Sequence, residues 1–265
     1  MAKKIKKKKK FDMRRLVMVL CALLAIGSFA YLGFYNYQAE NSTKQVDNLS
    51  KIKKEKKLNL KKATVTLDNI ETPDILKDYE DVYQLNQRLV GWIKIDGTSV
   101  DYPVLQTENN DYYLNHNFDQ QEDNNGSIFL DSQCSIWPRS QNLILYGHNM
   151  KSGKMFGSLK KYKSEDFYKK HSTFQFDTIY EKGTYVIVCV FNEVIHDETE
   201  VAFRYYQFIN ANSAEEFNSY INEMKAMSMY ETGNNAEFGD SLLTLSTCDY
   251  TKNSDRFVVV AKKIL

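Results

Sequence analysis

Eight short apolar runs punctuated by turn residues constrain this chain more than any other feature. They fall at 92–95, 100–105, 127–130, 142–146, 173–176, 185–191, 242–247 and 256–261. Such runs read as strands, and Asp96-Gly97 and Asn125-Gly126 are turn dipeptides between or before them. Many short strands with interspersed turns predict a closed barrel or a sandwich. Helical patterns are fewer. Leu76, Tyr79, Val82, Tyr83, Leu85 and Leu89 predict an amphipathic helix over 74–90, with Pro73 near its first turn. Ser213 followed by Glu216 forms a capping box, and Ala214, Phe217, Ile221 and Met224 repeat at helical spacing behind it. The class is mainly β with added helices.

Charge divides the chain. The formal net charge of +1 hides a basic head of nine Lys/Arg and one acid in residues 1–15. Residues 36–72 hold eight Lys and five acids, whereas 73–265 hold 18 basic and 28 acidic side chains, a net of about −10. An acidic globular part argues against nucleic acid as a partner, because phosphate contact needs basic surface. The 20 residues of 16–35 (LVMVLCALLAIGSFAYLGFY) carry no charge. As a helix they span roughly 30 Å, the hydrocarbon thickness of a bilayer. The basic head directly before them predicts a cytoplasmic N-terminus, with the rest of the chain outside. The rival reading is a cleaved signal peptide, with Ser28-Phe29-Ala30 as the cleavage site. The run exceeds a usual signal-peptide core, so the expectation is an uncleaved single-pass anchor. Four segments result: a basic cytoplasmic head (1–15), a transmembrane anchor (16–35), a charged and partly helical spacer (36–72) and one globular domain (73–265).

With Cys21 in the apolar segment, three cysteines remain for an exported domain, so at least one stays a thiol. Cys189 lies within Val186-Ile187-Val188-Cys189-Val190 and reads as a small buried apolar residue. Cys134 precedes Trp137-Pro138 in a loop. Cys248 differs, because it ends the run Thr244-Leu245-Ser246-Thr247, and Arg256 opens the next strand. If those strands are neighbours, thiol and guanidinium share one space, and a fixed cation favours the thiolate. His148 ends a third run, Leu143-Ile144-Leu145-Tyr146-Gly147, and supplies an acid or base. His116, His171 and His196 sit among polar or acidic residues and read as surface or capping side chains. No cysteine or histidine cluster has zinc-site spacing, so no metal is expected, and nucleophilic chemistry by a thiol requires no cofactor.

These segments resemble the sortases, the cysteine transpeptidases of Gram-positive cell envelopes. Thr-Leu-x-Thr-Cys at 244–248, the strand-ending His148 and the later Arg256 carry the likeness. Gly91-Trp92-Ile93-Lys94-Ile95, Asp101-Tyr102-Pro103-Val104-Leu105-Gln106, Gly126-Ser127-Ile128-Phe129-Leu130-Asp131 and Tyr146-Gly147-His148-Asn149-Met150 are similar to the class B branch. The resemblance runs from about Asp74 to Leu265. It implies an eight-stranded sortase barrel with an N-terminal helical segment and a long helix between the sixth and seventh strands. It also implies Cys248 as nucleophile, His148 as acid and base, and Arg256 as the oxyanion donor. Ser246, Thr247, Asn110 and Leu114 would contact substrate. The implied partners are secreted proteins with a C-terminal sorting signal and an amine of the cell-wall precursor peptide, met at the outer face of the membrane. The alternatives are a cysteine endopeptidase resolved by water, a pilus-type polymerising sortase, and an inactive membrane-tethered binding protein.

Overall fold

The computed structural model of the chain describes residues 13–55, 72–194, 203–248 and 255–265. The fold follows from eight strands: β1 (Leu89–Lys94), β2 (Asp101–Leu105), β3 (Ile128–Leu130), β4 (Asn142–His148), β5 (Thr173–Thr178), β6 (Thr184–Val194), β7 (Leu242–Cys248) and β8 (Asp255–Lys263). They form a closed barrel in the order β1-β2-β3-β4-β7-β8-β6-β5, and β1 pairs with β5 to shut it. Closure leaves no exposed sheet edge. Two neighbouring pairs are parallel, β2 with β3 and β4 with β7, and the remaining pairs are antiparallel. All eight expected runs are strands. Most extend further than expected, because ladder pairing continues into Gly147, His148 and Lys262 after the apolar stretch has ended.

The barrel core includes Ile93, Val104, Leu143, Leu145, Phe176, Ile187, Leu245 and Val259. Gly97 and Gly126 adopt positive φ, +76° and +59°, as turns after Asp and Asn require. Helix α1 (Met13–Glu55) is continuous across the apolar segment and the first part of the lysine-rich stretch. Met13–Phe34 within it is long and apolar enough to cross a membrane, with a mean hydropathy of 2.3. Contacts divide the chain at Lys44 into two compact units. In the second unit the end of α1 belongs to the body of the barrel. Leu49 is buried in a cluster with Tyr79, Trp92 and Leu105, and Ile52 packs against it. Lys53 lies 4.7 Å from the centroids of both Tyr79 and Trp92.

The helix expected over 74–90 is much shorter. Helix α2 spans only Glu80–Leu85. Upstream, Leu76 N–H donates to the Ile179 carbonyl at 2.8 Å, which holds that stretch against the end of β5. Downstream, Asn86 turns extended, its amide donating to the Phe118 carbonyl at 2.6 Å, while Leu89 pairs with Leu105. Tyr79, Val82, Tyr83 and Leu89 are buried as the pattern expects, but Leu85 is half exposed. Sheet pairing, a tertiary effect, outweighed local periodicity.

Helix α3 (Glu165–Lys170) precedes β5, and α4 (Ala214–Ala226) lies between β6 and β7 as expected. Phe217, Ile221 and Met224 of α4 are buried against Val188, Phe191, Val258 and Val260. Ser213 Oγ accepts from Glu216 N–H, while the Glu216 carboxylate accepts from the backbone N–H of Asn212, one residue earlier than in a reciprocal box.

Candidate active site

The parallel pair β4/β7 builds the centre of the site. Its register is unbroken from Asn142↔Leu242 to His148↔Cys248, so both strands end level. Inside the pair Thr244 Oγ1 donates to Asn142 Oδ1 at 3.0 Å, a buried bond that fixes the register with side chains as well as backbone. On the other side of β7, strand β8 pairs from Leu242↔Lys262 to Ser246↔Val258. The Phe257 N–H then donates to Thr247 Oγ1 at 2.9 Å. Cys248 lies two residues past Ser246, and Arg256 two residues before Val258 on the neighbouring strand. Arg256 pairs with Glu193 of β6 and is half buried.

His148 is buried, 3% exposed, and its Nε2 lies 2.6 Å from the Leu114 carbonyl oxygen. That carbonyl ends the 3-10 turn Tyr112–Leu114 between β2 and β3. Behind the histidine, its own carbonyl accepts from Phe156 N–H at 3.0 Å. Gly147 is required just before it, since a Cβ there would lie 2.3 Å from Ile128 Cδ1 and 2.9 Å from the Phe156 ring.

The other expected substrate contacts have structural partners in this arrangement. Ser246 is fully buried with its Oγ 2.7 Å from the Tyr205 hydroxyl. Thr247 ties β7 to β8. Asn110 donates to Asp131 Oδ2 at 3.0 Å and accepts from Ser132 N–H at 2.8 Å. The Tyr146 hydroxyl donates to the same Asp131 oxygen at 3.0 Å, which links Asn110 to β4 two residues before His148. Leu114 enters through its backbone. Asp131 and Tyr205 were not singled out in the sequence. Asp131 lay in plain view at the end of Gly126–Asp131, whereas nothing local marks Tyr205 as the partner of a hydroxyl on a distant strand. His196 lies outside the described residues.

The other thiols are poor nucleophiles. Burial pushes both Cys134 and Cys189 up to about 12. At neutral pH both are protonated and inert.

A barrel with a strand-ending cysteine level with a histidine, and an arginine at the head of the next strand, belongs to a known class of enzyme. The family model described as the sortase domain matches residues 93–264, and the chain belongs to the sortase family of cysteine transpeptidases. Within that family the likeness is to class B. Sortase B of Listeria monocytogenes is 35% identical over 209 residues, covering 77% of this chain and 80% of the relative. The crystal structure of sortase B from B. anthracis in complex with AAEK1 has a TM-score of 0.70 at 31% identity, covering 86% of this chain and 98% of that one. A Staphylococcus aureus sortase B–substrate complex has a TM-score of 0.66 at 33% identity, covering 72% of this chain and 86% of that one.

Proposed function

We propose that this transpeptidase is anchored in the membrane by the apolar part of α1 and works outside the cell on C-terminal sorting signals. The observation that carries the chemistry is the in-register ending of β4 and β7 at His148 and Cys248. The Cys248 thiolate attacks the scissile carbonyl, and the new C–S bond pushes the electron pair onto oxygen. Arg256 stabilises that oxyanion, for which a permanently charged planar donor is suited. Collapse breaks the C–N bond as His148 passes a proton to the departing amine, leaving a thioester. An amine of a wall-precursor peptide then attacks the thioester. His148 takes its proton, and the thiolate departs. Water in place of the amine turns the same cycle into hydrolysis.

The likeness to the S. aureus substrate complex supports a peptide substrate. The apolar helix after a basic head supports the anchor. The test is product partition from sorting-signal peptides with and without an added glycine-type amine. Cys248→Ala should abolish both products and the thioester, while Cys134→Ala and Cys189→Ala should retain them. Turnover by Cys248→Ala would overturn the mechanism, and hydrolysis unaffected by amine would favour an endopeptidase. Protease added to wall-stripped cells should leave a short membrane fragment; a secreted form starting near Tyr31 would show a signal peptide instead.

A further inference from the structure

His148 is oriented by a backbone oxygen. A carbonyl has no proton to give, so the 2.6 Å contact with Leu114 requires Nε2 to be the donor. In the neutral ring Nε2 therefore carries the hydrogen, and the proton exchanged in acyl transfer is the one at Nδ1. The Leu114 oxygen thereby does for His148 what a carboxylate does for the histidine of a Ser-His-Asp triad: it selects the tautomer and the ring orientation.

A second backbone segment closely approaches that oxygen. Gly126 adopts φ +59°, and a Cβ on it would lie 2.4 Å from the Tyr113 oxygen and 2.7 Å from the Leu114 oxygen. Both distances are far inside van der Waals contact, and both atoms are backbone, with no flexible side chain to swing away. The turn is also pinned around that oxygen. Leu114 N–H donates to the Asp111 carbonyl at 3.1 Å, Ser127 N–H to Tyr113 at 2.9 Å, and Asp123 N–H to Asn115 at 2.8 Å. With any side chain at 126, the turn at 126 and the Tyr113 and Leu114 carbonyls cannot all keep their places.

We propose that Gly126 is a positioning residue for His148: the space it leaves lets the Leu114 carbonyl fix the ring in the Nε2–H tautomer and assigns proton exchange to Nδ1. This rests on His148 being the acid and base of the reaction. Gly233 provides the control for backbone strain, since it also has positive φ, +74°, but a Cβ there meets nothing within 4 Å.

The test uses the full chain in detergent with nitrogen-15-labelled histidine. Long-range proton–nitrogen spectra report the tautomer of each ring, and His148→Gln identifies the His148 signals. The wild type should show His148 as a single Nε2–H tautomer when neutral. Gly126→Ala should show a mixed or inverted tautomer and lose about ten- to a hundredfold in turnover, the scale of a small misplacement of a reacting group. Gly233→Ala should keep both within about twofold, the residue being outside the machinery described above. A wild-type Nδ1–H tautomer or a mixture would overturn the proposal, and this holds even where Gly126→Ala fails to fold. Lost turnover in His148→Gln beside wild-type turnover or tautomer in folded Gly126→Ala overturns the positioning role alone. Full turnover in His148→Gln removes the acid–base reading, and the positioning role with it.

Discussion

The β4/β7 pair and the cap formed by the end of α1 and α2 are held by different forces. The pair is a backbone ladder of seven successive partners, ending at His148 and Cys248. The cap is held by side chains reaching across the chain: Leu49 in the cluster of Tyr79 and Trp92, Lys53 against those two rings, and the Tyr79 hydroxyl on Asp177 at 2.7 Å. Periodic hydrogen bonding places residues at fixed intervals, as chemistry demands. Side-chain packing secures a segment without imposing such spacing. Damage to the pair should therefore fall on rate, and damage to the cap on stability.

Arg256→Lys should produce the largest effect. Charge survives but the planar donors are lost, so turnover should fall about 100-fold, the scale of removing one oxyanion donor, with the thermal midpoint unchanged. Near wild-type turnover would mean that the residue supplies charge alone. Leu49→Ala should do the reverse, costing about 2–4 kcal/mol in chemical denaturation for a buried leucine while turnover of the folded enzyme holds. Parallel losses of rate and stability in this variant would abolish the contrast.

The buried thiols give a smaller, pH-dependent effect. Both titrate higher in the folded chain than the ordinary value of 9, at about 12. Their contribution to stability is complete below pH 9 and is lost between 9 and 12, because the unfolded chain releases those protons first. Denaturant midpoints should fall through this window, and less steeply in a Cys134→Ala/Cys189→Ala variant. An identical slope in that variant would refute the assignment.

Lys53→Met should have the smallest effect, below about 1 kcal/mol. Cation–π attraction of about 0.5–2 kcal/mol is opposed by burial, which pulls the Lys53 pKa down despite the opposing pull of Asp177, Asp101 and Asp78. A loss well above that bound would show that the charge itself holds the cap.

The same contrast explains what could be read in the sequence. Strands such as Leu242–Cys248 announce themselves because a short apolar run with turn residues around it has few other uses. The end of the run also marked the position of Cys248. Residues 74–90 misled because Leu89 satisfies a helical stripe and a strand equally well, and only Leu105 on the neighbouring strand, with the Ile179 N–H on the Val90 carbonyl, decides between them. The strand ends that carry His148 and Cys248 were legible in the sequence, whereas the groups packed around them were not. The Leu114 carbonyl and the Tyr205 hydroxyl act through folded neighbours that no local spacing encodes.

The parallel pairing of β4 and β7 also has a consequence for how the enzyme comes into being. Parallel neighbours cannot be joined by a tight turn, and here β5, β6 and α4 all intervene. Asn142 and Thr244, bonded across the pair, are 102 residues apart in the chain. The entropy of closing so long a loop must be met before the pairing yields any stabilisation. During synthesis the histidine strand emerges well before its partner, so the enzyme stays inert until the last two strands arrive. Until then the barrel stays open, and the level ending of β4 and β7 at His148 and Cys248 does not exist.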